Sequence, residues 1–194
     1  VKHREANQLL RPPLLWLALS ALAVALLAYS QAVAYFGNES FHLLAAQLIN
    51  SGKRPYVDFF YQHTPLFIYL NAAWMRVFGE TWRSAHALSA ILTGTSIIVT
   101  TSYVHNRLSG SRWRVAISAM SAALLGLNFY VIAFGTVGLP FGLCLFLTVV
   151  SFRLTVEAVH KRGPLLPLIA GLASGAAAAS SLLATISQGR EPSR

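Results

Sequence analysis

The chain has 194 residues, of which 55% are hydrophobic and 11% charged, with a mean hydropathy of +0.56. A chain so short of charge cannot cover itself with polar surface, which excludes an ordinary soluble domain and points to an integral membrane protein. The net charge of +9 would suit nucleic acid, but the basic residues gather beside apolar runs, as Lys2, Arg4 and Arg11 do, and again Arg107, Arg112 and Arg114. They read as topology signals, and no nucleic-acid partner is expected. The single cysteine, Cys144, sits in an apolar run, which excludes an internal disulfide and a cysteine-built metal site.

The first predicted element is a span over residues 14–34, about the twenty residues needed to cross a bilayer. It is longer than the apolar core of a signal peptide and runs into Tyr35-Phe36-Gly37 without a small-residue cleavage pattern, so an uncleaved span is expected. Asn38 then offers an N-cap, and Phe41, Leu44, Ala45, Leu48 and Ile49 recur at helical spacing before Asn50-Ser51-Gly52. This predicts a short amphipathic helix over 39–50, lying on the membrane. A turn through Lys53-Arg54-Pro55 leads to Tyr56, Phe59, Phe60 and Tyr61, an aromatic cluster of the kind that anchors at headgroup level. Residues 64–78, with Pro65 in the first turn and Gly79 at the end, form a second helix. At roughly 22 Å it is too short to span comfortably and is read as interfacial. Four more spans follow near 84–105, 115–134, 136–155 and 165–186, and residues 187–194 are a polar tail.

The expected architecture is therefore all-α, a polytopic bundle of about five spans with two interfacial helices in the first non-cytoplasmic loop. Loop charge supports this count. With 64–78 in the interface, the Lys2/Arg4/Arg11 group, the 106–114 loop and His160-Lys161-Arg162 all fall on the cytoplasmic side, together with the N-terminus. If 64–78 spans instead, the later basic loops move outside.

The succession of one span, an acidic start to an amphipathic helix, Gly52-x-x-Pro55-Tyr56-x-Asp58-Phe59, a Pro65-Leu66-x-x-Tyr69-Leu70 helix ending in Phe78-Gly79, and Arg83 opening the next span resembles the N-terminal module of the GT-C glycosyltransferases. The similarity is to the dolichyl-phosphate-mannose-protein mannosyltransferase and aminoarabinose transferase type. It implies transfer of a sugar from a polyprenyl-phosphate-linked donor to an acceptor on the outer face of a membrane, expected to be a bacterial inner membrane. Membrane lipid is a further partner. Enzymes of this type have more spans than this chain carries, so the resemblance implies the N-terminal part of a longer enzyme with its C-terminal half missing, through a fragment, a frame shift that would also account for the 187–194 tail, or a split enzyme. Metal dependence differs between subfamilies: no cofactor is assigned, and a divalent metal, Mg or Mn, stays open.

The family's catalytic acid begins the first interfacial helix, as the first member of an Asp-Glu pair, where this chain has Asn38-Glu39. An amide cannot act as a general base, and Glu39, one residue along, is rotated by about 100°. Glu39 and Asp58 are the candidate catalytic residues; Asn38, His42, Lys53, Arg54, Tyr56 and His63 are the candidate substrate-binding residues, and no metal ligand is assigned. Plainer roles stand beside each: Asn38 as a helix cap, Glu39 as a helix-end charge, Asp58 as a partner of Lys53 and Arg54, those two as a snorkelling pair. His42, three residues after Glu39, has the spacing for proton transfer or metal binding, and His63 stands where some family members carry a phosphate-binding Lys. Where other members place a second acid before the proline of the next outer turn, this chain has Leu139. Arg153 and Glu157, four apart, predict an interfacial ion pair. The competing expectation is a membrane protein that binds or helps translocate lipid-linked sugars without turnover, or an inactive remnant.

Overall fold

A computed structural model describes residues 12–33, 37–160 and 163–180. Lys2, Arg4, Arg11, Lys161, Arg162 and the 187–194 tail lie outside the described residues, as does the end of the last expected span. The described residues are all-helical, without a strand: α1 (Pro12–Ala32), α2 (Glu39–Asn50), α3 (Pro65–Phe78), α4 (Trp82–Arg107), α5 (Arg114–Gly126), α6 (Phe129–Gly135), α7 (Phe141–His160) and α8 (Leu165–Ala178).

Three helices, α1, α4 and α7, are long and apolar enough to cross a membrane, and α5 with α6 makes a fourth if that bent pair is one span. The protein is thus a membrane protein by the length and composition of its helices. The spans expected over 115–134 and 136–155 differ most from the observed helices, and α8, Leu165–Ala178, is shorter than the last expected span. The apolar run over 115–134 is not straight: it bends by 55° between α5 and α6. Asn128 causes the restart, because its side-chain oxygen accepts the N–H groups of Tyr130 and Val131, the interaction of an N-cap. Asn128→Ala is expected to cost about 1 kcal/mol of local helix stability and to raise amide exchange in α6 selectively. The following helix starts at Phe141 instead of near 136, since Pro140 disfavours helical geometry at Leu139, and residues 136–140 form a buried turn.

The longest helix, α4, is central and packs against α1, α3, α5, α6 and α7. Leu15, Leu19 and Leu26 of α1 meet Ile97 of α4 and Ala122 of α5 in one apolar cluster. Small residues let the backbones approach. A Cβ on Gly94 would sit 3.4 Å from Ala23 Cβ, and one on Gly142 would sit 3.0 Å from the Ser89 carbonyl oxygen. Thr93 tightens the same seam by donating its hydroxyl to the Gly135 carbonyl at 2.6 Å.

Between α1 and α4 the chain folds into a helical hairpin, α2 and α3, set against one end of the bundle. Leu43 and Ala46 of α2, Ala72 and Met75 of α3 and Ala85 of α4 form a second cluster. Ala45, Tyr61, Phe67, Ile68 and Leu143 of α7 form a third. Asn50 donates to the Ala72 carbonyl and the Trp74 indole to the Ser84 carbonyl, so the hairpin is tied within itself and to the start of α4. Gly52 at φ +88° and Gly79 at φ +102° end the two helices in backbone that favours glycine, where the sequence placed their stops. One face of α2 was not expected from the sequence. Glu39, His42, Leu43, Ala45 and Ala46 face inward while Leu44 is exposed, because the two polar side chains find partners inside.

Candidate functional site

The first turn of α2 directs Glu39 into the bundle, where its side chain is completely buried. An isolated carboxylate would be costly there, and three other segments supply partners or walls. Glu39 Oε1 accepts the N–H of Gly138 at 2.8 Å and is in direct contact with Nε2 of His86 on α4. The other ring nitrogen of His86, Nδ1, lies 2.7 Å from the Ser30 carbonyl oxygen of α1, and the Trp82 ring packs edge-on against the imidazole. Gly138 has to be glycine: a Cβ would come within 2.7 Å of Glu39 Oε1 and 3.3 Å of Ala85 Cβ. This one carboxylate joins α1, α2, α4 and the 136–140 turn.

One helical turn beyond Glu39, His42 is also buried. Its Nδ1 is 2.8 Å from the Tyr61 hydroxyl, and its ring lies 5.1 Å from that of His63 and 5.6 Å from that of Phe67. Burial, then the neighbouring His63, lower the His42 pKa from 6.5 to about 4, against a smaller opposing pull from Glu39. Burial also lowers His63, which is half-buried, and raises Tyr61. At neutral pH the cluster is therefore two neutral imidazoles beside an intact phenol, with proton-accepting nitrogens and no net charge. His63 carries this chemistry to the accessible edge, and the Tyr56 hydroxyl fixes its backbone by donating to the His63 carbonyl at 2.5 Å.

The remaining candidates lie in the link between α2 and α3. Asp58 is exposed; its carboxylate accepts the Arg54 backbone N–H at 2.7 Å and faces the Arg54 guanidinium at 3.5 Å. That backbone bond, followed by the attraction of Arg54 and Lys53, holds its pKa below the ordinary carboxylate range. Asp58 closes a tight turn in which Tyr56 adopts φ +67°, a left-handed conformation that a bulky residue takes only when its surroundings impose it. Lys53, Arg54 and Tyr56 are exposed around this turn. Asn38 occupies the N-cap position of α2 but makes no side-chain capping bond. At the other end of the bundle, Arg153 and Glu157 form the expected pair at 3.5 Å.

The structure thus brings together Glu39, His42, His63 and, through its hydroxyl, Tyr56, and leaves Asn38, Lys53, Arg54 and Asp58 on the outside of the loop. Three participants were missed in the sequence: His86, Tyr61 as a hydrogen-bonding group, and Gly138. A histidine inside an apolar span was the available signal for His86, since a buried ionisable group needs a named partner. Among the described residues, no three of His, Cys, Asp and Glu come together to hold a metal ion. A carboxylate-based Mg or Mn site at Glu39 would compete with His86 for the same oxygen. Comparison with known proteins finds no family, no curated protein and no solved structure that matches this chain.

Proposed function

We propose that the chain is the donor-binding membrane module of a GT-C-type glycosyltransferase, moving a sugar from a polyprenyl-phosphate carrier to an acceptor on the non-cytoplasmic face. The observation that supports it is the imidazole pair of His42 and His63, held at the end of the bundle by a hairpin whose first turn is anchored through Glu39. In this reading α2 and α3 lie in the interface, five spans cross the membrane with the N-terminus inside, and the membrane is a bacterial inner one. Neutral His63 takes the proton from the acceptor hydroxyl as the acceptor oxygen bonds to the sugar's anomeric carbon. The bond from that carbon to the phosphate oxygen breaks with its electrons leaving on the phosphate. Lys53 and Arg54 meet that phosphate from the rim, and Glu39 holds α2 instead of touching substrate. An apolar groove of about 550 Å³ beside Gly135, lined by Tyr130, Phe134, Phe141, Cys144 and Leu145 among others, gives room to part of an isoprenoid chain.

The test is sugar transfer from a labelled polyprenyl-phosphate sugar in membranes carrying the full chain with whatever further subunit it needs. His63→Ala is expected to lower turnover by about 10²- to 10⁴-fold, the usual loss for a general base, while donor binding persists. Unchanged turnover in that variant overturns the assignment. A second reading, donor binding without transfer, is favoured by the engagement of both loop carboxylates, Glu39 with His86 and Gly138 and Asp58 with Arg54. Saturable donor binding with no product from the wild-type protein would select it.

A further inference from the structure

The groups that face the two ring nitrogens of His86 bear on its protonation. A backbone carbonyl only accepts, so Nδ1, facing the Ser30 oxygen at 2.7 Å, carries a hydrogen. Nε2 meets Glu39 Oε1, the oxygen that already accepts the Gly138 N–H. If Nε2 were bare, Oε1 would have to carry the hydrogen between them, and a hydroxyl oxygen is a weaker acceptor for the Gly138 N–H than a carboxylate oxygen. An oxygen accepting from Gly138 is best suited as a carboxylate oxygen, so the hydrogen between the two groups belongs on Nε2. Both ring nitrogens of His86 and Glu39 Oε1 then each face a partner of the right kind, and the two charges cancel within one contact.

We propose that His86 is a doubly protonated positioning residue whose imidazolium pins the Glu39 carboxylate, and through it the first turn of α2, to the bundle. The helix is rigid over one turn, so this contact sets where His42 meets Tyr61 and His63. The device is independent of whether the protein transfers sugar. Among the described residues, the titratable groups near it are His42 on the same face of α2, with His63 and Tyr61 behind it, and Arg83, whose guanidinium lies over the Trp82 ring. Ser30 and Gly138 supply backbone groups only. His86 and Glu39, in direct contact, are each other's counter-charge in this arrangement.

The experiment uses the full chain in nanodiscs with ¹⁵N-labelled histidine. At pH 7 the His86 signals, assigned by their loss in His86→Leu, are expected to show hydrogens on both ring nitrogens; one bare nitrogen overturns the proposal. Glu39→Gln keeps the size of the side chain and removes the counter-charge. It is expected to abolish that signature and to speed amide exchange in α2 at least tenfold, with α7 unchanged. Exchange equal to wild type would mean that Glu39 merely fills space, and would overturn the proposal. The paired change Glu39→Met with His86→Leu is expected to slow α2 exchange at least fivefold relative to either single change, because an apolar pair replaces a buried ion pair without leaving one charge behind. Additive effects of the two changes would overturn the coupling.

Discussion

Lowering the pH from 7 towards 4 will loosen the α2–α3 hairpin while α1, α4 and α7 stay folded. His42 is 2% exposed, and its pKa falls from 6.5 to about 4 on folding, because burial and the adjacent His63 disfavour its charged form. The sign follows from linkage. Between these two values the unfolded loop binds a proton that the folded loop refuses, so stability decreases as pH falls through the window; the full contribution is present above 6.5 and is gone below about 4. At about 1.4 kcal/mol per unit the whole window is worth about 3 kcal/mol. His63, also lowered by burial, adds in the same direction. Amide exchange of residues 42–50, measured at several pH values and corrected for the intrinsic rate, reads the effect directly. His42→Asn keeps a polar atom near the Tyr61 hydroxyl but does not titrate, so its hairpin should lose most of the dependence. An equally steep dependence in His42→Asn would place the titrating group elsewhere.

The difference between what was legible in the sequence and what was not has a physical basis. Helix ends set by backbone chemistry were readable: Pro65 opens α3, Gly52 and Gly79 stop α2 and α3, and the Arg153–Glu157 pair follows from helical spacing alone. The hidden features depend on contacts between residues far apart in the chain. Amphipathic reading laid the apolar residues of α2 on the membrane and gave Glu39 and His42 no place inside the bundle, yet both are buried. No local pattern could show that His86, 47 positions beyond Glu39, and Gly138, 99 beyond it, would make a buried carboxylate tolerable. The bend at Asn128 was hidden for a related reason: hydropathy averages over the run 115–134, and a single capping side chain within it changes the direction of the chain. Asp58 shows the opposite case, since its partner Arg54 is four residues away and the plainer reading was available from the sequence.

Phe67→Ala should destabilise the hairpin by about 3–5 kcal/mol, the range for removing a large buried aromatic side chain, and should also weaken the response to acid. Phe67 is 1% exposed and packs with Ala45, Tyr61, Ile68 and Leu143, so its loss opens a cavity where α2, α3 and α7 meet. The same ring stands edge-on to His42 at 5.6 Å and keeps water from the imidazole. A cavity next to a polar ring can admit water, and hydration of the charged form would move the His42 pKa back towards 6.5. The two effects then have opposite consequences. The variant is less stable at pH 7, but it has less to lose between pH 6.5 and 4. Combined with His42→Asn, the costs should fall short of additive in acid, as expected for side chains in contact. Strict additivity across the pH range would mean that Phe67 supports the hairpin by packing alone, and that the polypeptide around α2 desolvates His42 without it.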